Sequence, residues 1–395
     1  MIKAIKHIPF LFFLIYTQVS FPQSAISFSE SGLKPALERA KAENKPVLLW
    51  CYAIWCPHCK TMKAGVFSNQ KVADYFNRTF ICIAQDMEKG EGIELNKKLK
   101  ISSFPTFIFY NPVGETIYRV EGELKSDDFI QEGKNALSPK KQLPYLKQQF
   151  EKDVSNSTTC YTYLRALKKG GMNVSTVTSQ YFATQSDKQL LSEINWRIIS
   201  NGVSDINSRE IQFLISHQKD FSTIASPLRV KRKLDYLVKE QLGSLVETTD
   251  TLNYRTTRNL AAQIHLYSTD SLIFNYDLRI NELTKNWNAY SKISMQFTET
   301  FGWNNHVRLN EIAGNFLKYI TEPKALLFAE RLAQRSLALD EEYDTYLLCS
   351  RLYQKTNDIP YAFKMAEKAR DLSAKYGWEG TEAENLLKEL NPRSN

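Results

Sequence analysis

The sequence predicts an α/β domain followed by an all-α region of helical repeats. Three observations carry this. Strand-length apolar runs occur at 47–53, 80–84 and 107–110, with a helix opening at 60–63 between the first two. The first run leads straight into Cys56-Pro57-His58-Cys59, two thiols three apart at a strand-to-helix junction. Beyond Ser138 strand-like alternation stops, and apolar residues recur at i, i+3, i+4 and i+7 or close to it, as at Leu190, Ile194, Ile198 and Ile199.

Residues 1–24 read as a secretory signal: Lys3 and Lys6, an apolar core at 9–16, then a small polar region. That core is far shorter than the roughly 20 residues that span a bilayer, and no later segment is apolar enough to cross one. The expected mature chain is exported, to a periplasm or out of the cell, with no membrane span. The run 47–53 reads as a buried strand and 60–63 as the opening of a helix. Cys56 therefore falls at or near a helix N-cap, where unpaired backbone N–H groups and the positive end of the macrodipole converge. That setting favours the thiolate, the reactive form. The local chemistry is dithiol–disulfide exchange. A second strand at 80–84 runs on to Asp86, and Ser103-Phe104-Pro105-Thr106 leads into a third at 107–110. Asn111-Pro112-Val113-Gly114 reads as a hairpin turn, 116–120 as an alternating strand and 126–137 as a closing amphipathic helix.

Trp-Cys-x-x-Cys-Lys, Phe-Pro-Thr and the Gly122 after the last strand, in this order, resemble the thioredoxin superfamily over roughly residues 27–138. The resemblance implies a thioredoxin fold, a central mixed sheet flanked by helices, with Pro105 cis and facing the dithiol, and with Phe104 lining a substrate groove. It implies Cys56 as the exposed nucleophile, Cys59 as the resolving thiol, and Trp55 flanking the groove. Stretches 59–63, 66–68 and 72–76 are similar to periplasmic thioredoxin-like proteins and to the electron-donating domain of a disulfide-reductase membrane system. Two departures stand out. A buried Asp usual six residues before the first cysteine is Trp50 here, and a usual neighbouring Lys is Cys82, so the proton acceptor for Cys59 is not identified. The inner dipeptide Pro57-His58 resembles that of oxidising periplasmic disulfide donors, with His58 adding positive charge beside Cys56 and raising the potential. The dipeptide argues for an oxidant and the wider motif for a reductase, which leaves the direction of electron flow open.

Six cysteines in 395 residues are too few and scattered for a disulfide-built scaffold. Zinc needs four ligands, and there is no second Cys-x-x-Cys or His pair among five histidines; neither a metal nor a cofactor is expected. Cys51 and Cys82 read as small core hydrophobes, and Cys160 and Cys349 as free buried thiols, with a bridge between them not favoured. The net charge of +8 is spread along the chain with no basic stripe, against nucleic-acid binding. The expected partners are protein thiol or disulfide clients and a redox partner, such as a membrane electron donor or acceptor.

The reading divides the chain into a signal at 1–24, a thioredoxin-like domain at 25–138, an α-helical region at 139–320 and helical hairpins at 321–395. Residues 137–144, polar and proline-bearing, read as a linker. Helices are expected at 145–152, 159–169, 187–200, 208–217, 228–242, 256–265 and 272–285, then at 323–339, 343–356, 359–376 and 380–390. Ala325, Ala329, Ala333, Ala362, Ala366 and Ala369 let antiparallel helices approach closely, and the region resembles tetratricopeptide repeats. Such an extension would dock clients or a partner, mediate dimerisation, or cap the first domain. The functional expectation is an exported thiol–disulfide oxidoreductase. The alternative is a non-catalytic interaction protein whose repeats are the working part.

Overall fold

Four strands carry the dithiol: β1 (Val47–Tyr52), β2 (Ile81–Asp86), β3 (Thr106–Tyr110) and β4 (Thr116–Glu121). The structure, a computed structural model, describes residues 25–391; the expected signal at 1–24 lies outside the described residues. The sheet order is β2-β1-β3-β4, with β1 and β2 parallel and the other pairs antiparallel. Helices α1 (Leu33–Glu43), α2 (Pro57–Thr61), α3 (Gln70–Thr79), α4 (Glu91–Leu99) and α5 (Ser126–Leu137) surround it. The strands are apolar on both faces because both are covered. Val47, Leu49 and Cys51 pack with Ala36 and Ala40 of α1 and, more peripherally, Leu95 of α4. Leu48 and Trp50 pack on the other face with Cys59, Phe76, Phe107 and Phe129. Phe76 and Phe129 stack at 4.3 Å between centroids.

Both sheet edges are closed. Ser29 bridges Ile83 in parallel beside β2. Beside β4, the helices Leu143–Lys152 and Ser157–Lys169 pack against the strand, and the carboxylate of Glu132 accepts from Tyr118 Oη at 2.6 Å and Lys169 Nζ at 2.5 Å. The expected linker is therefore a short 3-10 turn, Pro139–Lys141, followed by a helix that buries Leu143, Leu146 and Phe150. Those three side chains supply an apolar stripe that a free linker lacks.

The chain forms two compact units: the first takes residues up to 190 with 197–202, the second 191–196 with 203 onward. Beyond the sheet both are helical. The expected helix at 187–200 is interrupted, with Asp187–Leu190 followed by Glu193–Gly202. Ser192 accepts from Asn195 N, capping a fresh start. In the second unit, Pro323–Leu339, Tyr343–Lys355, Ile359–Tyr376 and Thr381–Leu390 bury the expected alanines in one core. Trp287–Phe301 and His306–Tyr319, two helices absent from the pattern reading, join it.

Candidate functional site

Cys56 is the N-cap of α2, with φ −65° and ψ 117°, and Pro57 occupies the first helical turn. Proline suits that position, where its missing N–H costs no helical bond. The Cys56 Sγ accepts from Cys59 N at 3.3 Å and donates to Phe104 O at 3.5 Å. The Phe104–Pro105 peptide bond is cis, and Pro105 O accepts from Gly122 N at 2.8 Å, tying this loop to the end of β4. The fold thus brings Cys56, Cys59, Phe104 and Pro105 together. All six cysteines are unbridged thiols. Helix α2 passes into a π turn, Met62–Val66.

The nucleophile expected to be exposed is recessed: Cys56 is 3% exposed, against 62% for Trp55 beside it. The reason is packing, since Cys56 belongs to the same apolar cluster as Trp50, Met62 and Phe67, with Phe104 packed on its edge. The site therefore offers one recessed sulfur rather than an open face. Cys59 is equally enclosed. Its thiol is pushed up from 9.0 to about 12, by burial first and then by the hydrogen bond and charge of Cys56, against a lowering contribution from the Ala53 backbone.

Two carboxylates that the sequence reading passed over hold the flanks. Trp55 Nε1 donates to Glu88 Oε2 at 2.7 Å, and the Trp55 ring meets Phe104 edge-on at 6.3 Å. His58 Nδ1 lies 2.7 Å from Glu123 Oε2. When protonated, His58 is thus paired, and its field at Cys56 is largely offset. Glu88 follows the end of β2 and Glu123 follows Gly122; only the turn positions gave a signal for either. Trp50, standing where a carboxylate is usual, is stacked on Tyr52 at 4.6 Å, and its buried Nε1 has no hydrogen-bond partner. Among the described residues, His306, Asp340 and Glu342 bring ligand-type atoms within 4.8 Å of one another. Both ring nitrogens of that histidine face carboxylates at 3.7 Å, beyond hydrogen-bond distance.

Residues 33–137 match the family model of the thioredoxin-like domain, and this part of the chain is a thioredoxin-like domain. The thiol:disulfide interchange protein DsbD of Vibrio cholerae serotype O1 is 34% identical over 104 residues, 25% of this chain and 17% of that protein. Its counterpart in Yersinia pestis is 32% identical over 115 residues, covering 28% and 19% of the two chains. The chain spans less than a fifth of the length of these curated relatives. A solved structure of a putative disulphide-isomerase from Bacteroides thetaiotaomicron is 39% identical, covering 29% of this chain and 95% of that one, with a TM-score of 0.28.

Proposed function

We propose that the chain is a thiol–disulfide oxidoreductase acting on protein clients, with Cys56 as nucleophile and Cys59 as resolving thiol. The observation that carries this reading is the Cys56 sulfur held between the Cys59 N–H and the Phe104 carbonyl, beside the cis Phe104–Pro105 bond. The amide bond to Sγ and the N-cap position both stabilise negative charge on that sulfur. The Cys56 thiolate attacks a client disulfide, forming a mixed disulfide and releasing one client thiolate. The Cys59 thiolate then attacks Cys56 Sγ, closing the 56–59 disulfide and expelling the second. Two electrons pass from the dithiol to the client; the reverse sequence oxidises a client. Trp55, Pro57 and His58 shape the rim, and Phe104-Pro105 holds the client backbone in strand-like pairing.

The proposal includes export of the chain to a periplasm or out of the cell, directed by residues 1–24. A separate redox partner recharges the dithiol. The division at 138 and 320, and tetratricopeptide-like hairpins at 321–395 that dock clients or that partner, are part of the same reading. The test uses the full chain in a disulfide-reduction assay. Cys56→Ser abolishes turnover, and Cys59→Ser accumulates a covalent client adduct. Recovery of no mixed disulfide from the second variant counts against the mechanism.

A second reading, a non-catalytic interaction protein, is favoured by two observations: Trp50 at the place of the usual acid, and the recessed Cys56. Undiminished biological function of Cys56→Ser, together with no disulfide reduction by the unaltered protein, would select it.

A further inference from the structure

Trp50 cannot accept a proton, and Cys59 beneath it is held as a neutral thiol by burial and by Cys56. A cavity of about 610 Å³ opens at this point. Its apolar wall includes Phe28, Trp50 and Phe67, and its polar side includes Glu30, Tyr52, Cys59 and Lys60. Glu30 is the one carboxylate in that lining. It is exposed to solvent and follows directly on the segment that closes the sheet edge. Ser29 N donates to Cys82 O at 3.0 Å, Ala84 N donates to Ser29 O at 3.1 Å, and Ile26 N donates to Phe67 O at 2.8 Å. The backbone carrying Glu30 is thereby fixed to the domain.

We propose that Glu30 is the proton acceptor for Cys59 in the resolving step, reached across this cavity. The inference rests on the oxidoreductase reading of Cys56 and Cys59. The cavity is wide enough for water, and its polar groups are suited to order it. Tyr52 lines the same cavity, and its hydroxyl is pushed up by burial first, then by Asp86, Glu30 and the Cys59 sulfur. In the step, Cys59 gives its proton through the cavity to the Glu30 carboxylate. The resulting thiolate attacks Cys56 Sγ of the mixed disulfide, and the Cys56–client S–S bond breaks. The client sulfur leaves with the bonding pair and is protonated by the Glu30 acid or by solvent. The client disulfide is the oxidant, and two electrons leave the dithiol.

The ionisable groups around Cys59 are Cys56 and Lys60 on its own helix, Lys63 on the following turn, Tyr52 on β1 and Glu30 on the edge segment. Asp86 lies beyond Tyr52 on β2. It is the rival carboxylate, 9% exposed, with Oδ1 accepting from Glu88 N and Oδ2 unpartnered, yet it is not part of the cavity lining.

The experiment loads Cys56 of the full chain with 5-thio-2-nitrobenzoate as a mixed disulfide and follows release of the coloured thiol by Cys59 as a function of pH. Glu30→Gln is expected to slow release at neutral pH by at least about tenfold, less than the about 100-fold of a directly bonded base. It also converts a flat neutral pH–rate profile into one that climbs with pH. Glu30→Asp restores most of the rate, and Asp86→Asn leaves rate and profile unchanged. A Glu30→Gln profile superimposable on that of the unaltered protein overturns the proposal while leaving the oxidoreductase reading intact. So does transfer of the loss to Asp86→Asn. Failure of the unaltered protein to release the label overturns both.

Discussion

The titration of Cys59 is the most direct test of how this site is built. With the thiol pushed up from 9.0 to about 12, its thiolate fraction at pH 7 is about 10⁻⁵, against about 10⁻² for a thiol at the ordinary value. The deficit is about 1000-fold, and burial is its largest cause. Difference titration of thiolate ultraviolet absorbance, unaltered protein minus Cys59→Ser, isolates this group. No Cys59 step is expected below about pH 10. The sign for stability follows: the fold holds the neutral thiol, so its contribution is present below the unfolded pKa of about 8.5 and is lost as pH rises toward the folded value. A Cys59 midpoint at or below 9 would refute the argument, because it means that the adjoining cavity solvates the sulfur as well as bulk water does.

Three further outcomes test the scaffold around the dithiol. Burial pushes the Glu132 carboxyl up, but hydrogen bonds from Lys169, Tyr118 and Asn135 outweigh it and hold it below the ordinary range. Its contribution is therefore present above the unfolded pKa of about 4.3 and lost as pH falls; Glu132→Gln should cost about 2 kcal/mol, a roughly 4–8 °C fall in melting temperature, and flatten the acid limb of stability. Gly92→Ala places a Cβ 1.8 Å from the Asp86 carbonyl oxygen. Because backbone rather than a flexible side chain is in the way, chemical denaturation should show a loss of about 3 kcal/mol or more. Glu88→Ala removes the acceptor of Trp55 Nε1 on an exposed surface. Its stability should stay within about 0.5 kcal/mol, while kcat/KM for a protein client falls roughly threefold, about 0.7 kcal/mol, as the groove wall loosens.

Much of the first domain was legible because its signals are local. The apolar runs before Cys56 and after Phe104 and the Asn111–Gly114 turn lie where the pattern put them, and the closing helix spans Ser126–Leu137 as expected. The helices Pro323–Leu339 and Ile359–Tyr376 were legible for the same reason, with alanines repeating on one side. What escaped depends on partners distant in sequence. Helix α1 buries only Ala36 and Ala40, small residues that give a weak period. The π turn at Met62–Val66 leaves no mark in composition. The pairing of Trp55 with Glu88 and of His58 with Glu123 joins residues 33 and 65 positions apart. The recess of Cys56 is likewise a tertiary property, made by a cluster assembled from several elements.

That last group of contacts bears on the direction of electron flow. A positive charge at His58 stabilises a neighbouring thiolate and raises the potential when nothing opposes it. With Glu123 at 2.7 Å, a protonated His58 belongs to an ion pair, and the field it sends to Cys56 is that of a dipole. Thiolate stabilisation then falls mainly to the helix end and the Cys59 amide, features that do not depend on the inner dipeptide. The Pro57-His58 pair therefore loses most of its weight as evidence for the oxidising limit near about −120 mV. Neutralising the partner separates the contributions: Glu123→Gln leaves the His58 ring without its carboxylate, so a 56–59 potential set partly by His58 should rise in that variant. An unchanged potential would mean that His58 never influenced Cys56 at all.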